Sequence, residues 1–224
     1  MTSKRALLIG VNGTIGSALA EQMHDKYELY TVSRDDTDYS EASLEKLATR
    51  LKSKGAFNTI ICCVGTLHND VVAPEKRLAH LNSKTLAEYY RINTIIPALC
   101  LRFFHALLDK SDASRFTFLS AMVGSIGDNS TGGWYGYRSS KAALNQIVHT
   151  GAIELRRSNK AAVLAVIHPG TTIGPLSKPF ASGIAKDKYY TPQESAERIL
   201  SVTESLTAEQ SGEFFNWDGS SIVW

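Results

Sequence analysis

The chain has 224 residues, 43% hydrophobic and 21% charged, with a formal net charge of +2. That is the size and balance of one domain with a full core, spanning 1–224 and too short for two ordinary enzyme domains. Its basic residues form no run, which argues against nucleic acid or anionic lipid as a partner, and no apolar stretch reaches the roughly 18 to 20 residues that cross a bilayer.

The start, Met1-Thr2-Ser3-Lys4-Arg5, leads straight into a strand pattern with no export leader, so a cytoplasmic location without membrane attachment is expected. Cys62, Cys63 and Cys100 match neither a disulfide framework nor a zinc spacing, and the six histidines carry no His-Glu-x-x-His pattern. A reduced compartment and no metal are expected.

Apolar runs of strand length at 6–10, 29–33, 58–64, 115–120 and 162–168 alternate with helical-period segments at 15–25, 43–53, 85–109, 137–159 and 191–206. The rhythm predicts βαβ units and hence an α/β fold of the doubly wound Rossmann type, a parallel sheet with helices on both faces. The strands read as near-continuous Val, Ile, Leu and Phe, as strands covered on both faces do. The last helix opens on Thr191-Pro192-Gln193-Glu194, a capping Thr with Pro at the first helical position and Glu at the third. Before it, 174–190 carries Gly, Pro and Lys without periodicity, and a long loop at that point of an α/β fold is expected to cover a ligand.

The first run ends in Gly10-Val11-Asn12-Gly13-Thr14-Ile15-Gly16, ahead of a helix. Gly10 permits a sharp turn, Gly13 lets the backbone approach a pyrophosphate and Gly16 lets helix and strand lie close, while the free N–H groups of the helix start face the phosphate. Gly10, Asn12, Gly13, Thr14, Ile15 and Gly16 are therefore candidate contacts of a dinucleotide. The second run ends in Ser33-Arg34, where a cofactor such as NAD would usually meet a ribose-binding carboxylate. No carboxylate repels a 2′-phosphate at that point and Arg34 offers it a guanidinium, which favours NADP. NAD is the alternative, because Asp35 and Asp36 stand ready to pair with Arg34 instead.

Tyr137 and Lys141 lie four apart, about 40° from each other on one face of a helix that begins at the carboxyl edge of the sheet, where doubly wound folds bind ligands. A phenol of ordinary pKa near about 10 needs a neighbouring cation to work at neutral pH, and Lys141 is expected to supply it.

Taken in order, the glycine turn, Gly65 after the third run, Tyr137-Arg138-Ser139-Ser140-Lys141 and His168-Pro169-Gly170-Thr171 resemble the short-chain dehydrogenase/reductase family. Gly132-Gly133-Trp134-Tyr135-Gly136 before the tyrosine, Ala142-Ala143-Leu144-Asn145-Gln146 after the lysine, and Leu176-Ser177-Lys178-Pro179-Phe180 are similar to its C-factor-like or sniffer-like carbonyl reductase branch. The resemblance covers nearly the whole chain. It implies that Tyr137 donates a proton, that Lys141 holds the nicotinamide ribose and that Asn93, in Arg91-Ile92-Asn93-Thr94, holds a water of the proton relay. It also implies a cofactor set of Ser33, Arg34, Asp38, Cys63, Val64, Gly65, Tyr137, Lys141, Pro169, Gly170, Thr171 and Thr172.

The departures from the family pattern are specific. Cys62-Cys63-Val64-Gly65 replaces Asn-Asn-Ala-Gly, and Thr172-Ile173-Gly174 replaces Val-x-Thr. Ala121 stands where a serine bonds the substrate carbonyl, leaving Ser120 or Ser125 for that role. Asp38-Tyr39-Ser40 follows Arg34 so closely that the third strand is shortened and the adenine pocket opened.

The expected activity is NADP(H)-dependent reduction of a ketone or aldehyde. The expected partners are a small carbonyl or alcohol substrate and further copies of the chain, as a dimer or tetramer. Leu67-His68, Trp134-Tyr135 and 174–190 would wall the pocket, and the aromatic tail from Phe214 to Trp224 would form a last strand. Two other readings stand beside it. Ala121 and Gly174 motivate a cofactor-binding signalling or scaffold protein with weak or lost turnover. The same Tyr–Lys pair also serves nucleotide-sugar epimerases, against which the short chain after His168 speaks.

Overall fold

The computed structural model describes residues 4–183 and 188–224. Six strands, β1 (Arg5–Ile9), β2 (Glu28–Val32), β3 (Thr59–Cys62), β4 (Ser114–Leu119), β5 (Ala162–His168) and β8 (Phe214–Asn216), form one sheet in the order β2-β1-β3-β4-β5-β8. Every pair is parallel, with Leu8 opposite both Thr31 and Ile61, Phe118 opposite Val166 and Ile167 opposite Phe215. The aromatic tail thus supplies the last strand, and Trp224 folds back to stack on Phe214.

Strand alternation divides the apolar residues between two cores. Leu7, Ile9, Phe116, Phe118, Leu164 and Val166 face α2 (Glu41–Lys52), α4 (Ile96–Phe104) and α5 (Tyr135–Leu155). Ala6, Leu8, Ile61, Val163 and Ile167 face α1 (Thr14–Met23) and α6 (Pro192–Ser205). Both faces are covered, which is why the strands lack polar alternation. The cap of α6 forms as the sequence predicts: Thr191 Oγ1 accepts from Glu194 N, and the Glu194 side chain accepts from Thr191 N.

Three segments differ from expectation. The helix read at 85–109 starts as α3 (Ser83–Tyr90), capped by Asn82, widens into a π turn at Arg91–Ile95, and continues as α4. The shortening of the third strand is complete. Among the described residues no strand lies between β2 and α2, because Ser33 to Thr37 turn sharply and Ser40 caps the helix at once. The irregular segment 174–190 contains a 3₁₀ turn at Lys178–Gly183 and ends in β7 (Tyr189–Tyr190), which pairs in parallel with β6 (Thr171–Thr172). Residues 184–187 of that segment lie outside the described residues. Among the described residues no helix is long and apolar enough to cross a membrane.

Candidate active site

The glycine turn joins β1 to α1. Gly10 has φ +87°, and its N–H donates to Val32 O, which ties the turn to β2. A Cβ on Gly16 would lie 2.3 Å from Gly10 O, so Gly16 packs helix against turn and does not face the cleft. Gly13 meets nothing closer than 3.5 Å, and it begins α1 with no side-chain cap and no acidic residue in the first turn. The first N–H groups of Thr14, Ile15 and Gly16 are thus left for an anion.

In front of this turn is a cleft of about 460 Å³ bordered by Asn12, Ser33, Arg34, Asp38, Val64 and Gly65, together with Gly10, Gly13 and Cys63. Asn12 Nδ2 donates to Asp35, and the Ser33 hydroxyl donates to Asp36, so both side chains are engaged before any ligand arrives. The ion pair of Arg34 with Asp35 or Asp36 is absent among the described residues, and the guanidinium stands on the cleft rim. Hydrogen bonds from Ser43 and Ser40 hold the exposed Asp38 carboxylate down at about 2. Cys62 and Cys100 are both buried in the core.

A second cavity of about 400 Å³ adjoins the first, with Leu176 common to both. Tyr137, Ala121, His168, Gly170, Thr171 and Thr172 border it, with Ile15 and Pro169 beside them. Leu67, Met122, Trp134 and Phe180 give it apolar walls, and the Trp134 and Phe180 rings lie 5.0 Å apart. His68 acts from outside, its Nε2 3.2 Å from Pro175 O, linking the loop after β3 to the segment over the cavity. Thr172 Oγ1 is paired with Ser195 Oγ and is not free. Gly174 passes over Thr14, where a Cβ would lie 2.9 Å from the Thr14 hydroxyl.

Tyr137 sits in the first turn of α5, half-buried between Tyr89 and Trp134, each 6.2 Å away by ring centroid. Burial pushes its phenol above the ordinary value. One turn along α5, Lys141 commits one ammonium proton to the backbone. Its Nζ donates to Leu119 O at 2.9 Å and lies against Gly65, where a Cβ would come within 2.9 Å of it. Desolvation lowers Lys141 to about 8 against the pull of Cys62 and Cys63. Asn93 is drawn to the same place by the π turn. Its Oδ1 accepts from Thr66 N, and its Nδ2 donates to Thr66 O and Ser140 Oγ. The side chain is a brace between the loop after β3 and α5.

Neither serine read as the carbonyl ligand has a free hydroxyl proton. Ser120 ends β4 on the face of Phe118, and alternation turns its hydroxyl to α5, where it donates to Asn145 Oδ1 at 2.6 Å. Ser125 lies beyond the 3₁₀ turn at Met122–Gly124, fully buried, and donates to Val223 O. Its role is to fasten the tail.

Two residues near the site were missed by the sequence reading. Glu75 is 3% exposed and accepts from Gly136 N at 3.0 Å through Oε2, while Trp134 N donates to Glu75 O at 2.6 Å. It caps α5 from a remote loop. The signal was the α5 start itself: Trp134, in the left-handed region at φ +54°, is the cap residue and offers no side-chain acceptor. Gly136 must be glycine, since a Cβ there would lie 2.5 Å from the Tyr89 ring and 2.8 Å from Glu75 Oε1. His168, the last residue of β5, borders the second cavity, and burial lowers its imidazole from 6.5 to about 4. Its place at a strand end before Pro169-Gly170 was the available signal.

Two outcomes follow. Glu75→Ala removes the cap of α5 and is expected to cost about 1 to 2 kcal/mol in urea unfolding, whereas Glu75→Gln keeps an acceptor oxygen and recovers most of it. The folded protein resists protonating His168 until about pH 4, whereas the unfolded chain takes that proton near 6.5. Stability is therefore undiminished by this group above 6.5 and falls as pH drops from 6.5 to 4. The urea midpoint of a His168→Asn variant should fall less steeply across that window than that of the unsubstituted protein.

No protein-family model matches the chain. The chain is 28% identical over 235 residues to 1-hydroxy-2-glutathionyl-2-methyl-3-butene dehydrogenase of Rhodococcus sp. (strain AD45), covering 97% of this chain and 98% of that protein. It is 31% identical over 150 residues to C-signal of Myxococcus xanthus, covering 66% of this chain and 83% of the relative. Among solved structures, carbonyl reductase Sniffer of D. melanogaster superposes with a TM-score of 0.80 at 19% identity, covering 99% of each chain. The NADPH-bound carbonyl reductase from chicken fatty liver gives 0.79 at 21% identity and covers all of both chains. Likeness to curated relatives along the sequence, joined to a fold shared end to end with carbonyl reductases, places this chain in the short-chain dehydrogenase/reductase family of oxidoreductases.

Proposed function

We propose that residues 1–224 form one cofactor-binding domain that reduces a ketone or aldehyde with NADPH, Tyr137 giving the proton to the carbonyl oxygen. The observation that carries this reading is the meeting of two cavities at Leu176: one in front of an uncapped helix start, the other holding a phenol. The residues present fit a dinucleotide. The glycine turn leaves room at Gly13 and free N–H groups on α1 for a pyrophosphate, and Gly65 borders the cleft with the Lys141 ammonium directly behind it. The cofactor, when bound, supplies the hydride.

The protein's own part is positioning and proton supply. Burial keeps Tyr137 protonated, so it enters the reaction as a donor. Lys141, a cation below about pH 8, stands on Leu119 O where charge building on a nearby phenolate or ribose oxygen would be stabilised. Asn93 holds the loop carrying Gly65 and Thr66 against α5. Arg34 on the cleft rim, free of Asp35 and Asp36, supports NADPH over NADH, and the carbonyl reductase from chicken fatty liver binds NADPH within the same fold. The reading includes a cytoplasmic location, supported by three free thiols, and self-association across the groove between α4 and α5 lined by Leu101, Ile147 and Gly151.

A second reading is a cofactor-binding protein with weak turnover. It is favoured by Ala121 and by the engagement of Ser120 with Asn145, which leave no serine proton for the carbonyl. Turnover separates the two. Tyr137→Phe should retain NADPH binding, read by fluorescence titration, and lose roughly 10²- to 10⁴-fold in NADPH oxidation with carbonyl substrates. Unchanged turnover would reject the mechanism. Arg34→Ala should weaken NADPH by about 1 to 3 kcal/mol and leave NADH nearly unaffected, since one charge-assisted contact is removed. Equal losses for the two cofactors would make Arg34 a structural residue.

A further inference from the structure

At the carboxyl edge of the sheet three neighbouring strands run out at Ser120, His168 and Asn216. Leu119 is in register with Ile167, and His168 with Asn216. Alternation turns all three side chains to the α5 face, the face of Phe118, Val166 and Phe214. Their partners differ. Ser120 donates to Asn145, whereas His168 Nδ1 and Asn216 Oδ1 are buried with no hydrogen-bond partner. Native proteins pair the large majority of such atoms. His168 Nδ1 is sealed from solvent, so on this half-buried ring it is Nε2 that can meet a molecule in the cavity.

His168 borders the cavity that holds Tyr137, and among the described residues no Asp, Glu, Lys or Arg lines that cavity. The cavity has apolar walls in Leu67, Met122, Val123, Trp134 and Phe180. Within such walls the imidazole joins the Tyr137 and Thr171 hydroxyls as a polar group without a partner among the described residues, Ser120, Ser177 and Thr172 being engaged. Burial keeps it uncharged at neutral pH, so Nε2 meets the cavity as a donor or an acceptor, according to tautomer, and without charge. An uncharged cavity with one such group selects a molecule that is apolar overall and carries one more hydrogen-bonding group than the reaction itself needs.

We propose that His168 is a specificity-determining residue, hydrogen-bonding a second oxygen function, hydroxyl or carbonyl, of an uncharged and largely apolar ketone or aldehyde. The inference takes the reacting carbonyl at Tyr137 from the reductase reading; the role of His168 in binding does not need turnover. A site built to hydrogen-bond a substrate group discriminates strongly against the analogue lacking it.

The test uses matched pairs, α-hydroxyacetophenone with acetophenone and diacetyl with butanone. Each is titrated calorimetrically into the whole protein, with and without saturating NADP⁺. The oxygenated member of at least one pair should bind at least about tenfold more tightly. That preference should fall to about twofold or less in His168→Phe and return in part in His168→Asn, which keeps a hydrogen-bonding group. No preference in the unsubstituted protein, or one that survives His168→Phe, overturns the assignment. Should His168→Phe fail to fold, the imidazole nitrogen chemical shifts of the unsubstituted protein decide. A His168 shift with α-hydroxyacetophenone and none with acetophenone supports the assignment, and equal responses overturn it. NADPH oxidation is followed alongside. Preference without oxidation removes the reductase reading and keeps His168 as the binding residue; oxidation without preference does the reverse.

Discussion

The Lys141 ammonium lies 3% exposed between the ends of β3 and β4, with Leu119 O 2.9 Å from Nζ. Taking a cation out of water costs several kcal/mol unless polar groups replace the solvent, and the surrounding chain is arranged about that cost. β4 ends in time for the Leu119 carbonyl to turn inward. The residue after Val64 is glycine because a side chain would strike Nζ. The π turn rotates Asn93 onto Thr66 and Ser140, so the loop around the lysine is held from two sides. Desolvation at this depth lowers the Lys141 ammonium to about 8.

The other polar groups of the region divide into those already engaged and those left open. Ser120, Ser125, Thr172, Ser33 and Asn12 all donate to or pair with protein groups. Left open are the Tyr137 hydroxyl, the His168 ring, the N–H groups at the start of α1 and the Arg34 guanidinium. Those four sit along the two adjoining cavities, so the division itself outlines where a ligand would run, from the rim at Arg34 past the glycine turn to Tyr137.

Helix α5 begins under constraint. Gly132 and Gly133 take positive φ, Trp134 follows them into the left-handed region, and Glu75 from another loop receives the Gly136 N–H. A left-handed tryptophan is costly, and the Glu75 backbone and side chain together hold it in place. The same contacts bring the Trp134 ring over the second cavity against Phe180, so the cap of α5 and the wall of the cavity are one piece of packing.

Much of this was legible from residue order. The strands, the helices, the Thr191 capping box, the glycine turn and the Tyr137–Lys141 spacing depend on local periodicity and local steric rules, which a single chain displays openly. The directions of side chains at strand ends did not show. Whether Ser120 faces a substrate or Asn145, whether Lys141 faces Tyr137 or Leu119 O, and whether Arg34 pairs with Asp35 or stands free each depend on groups tens of residues away. Glu75 and His168 escaped notice for that reason: one is a loop carboxyl that caps a helix sixty residues on, the other a strand residue distinguished only by having no partner. Sequence by itself determined which backbone could form and where its glycine turn lies. Tertiary structure alone decided which polar groups are satisfied, because hydrogen bonds and burial are properties of pairs brought together by folding.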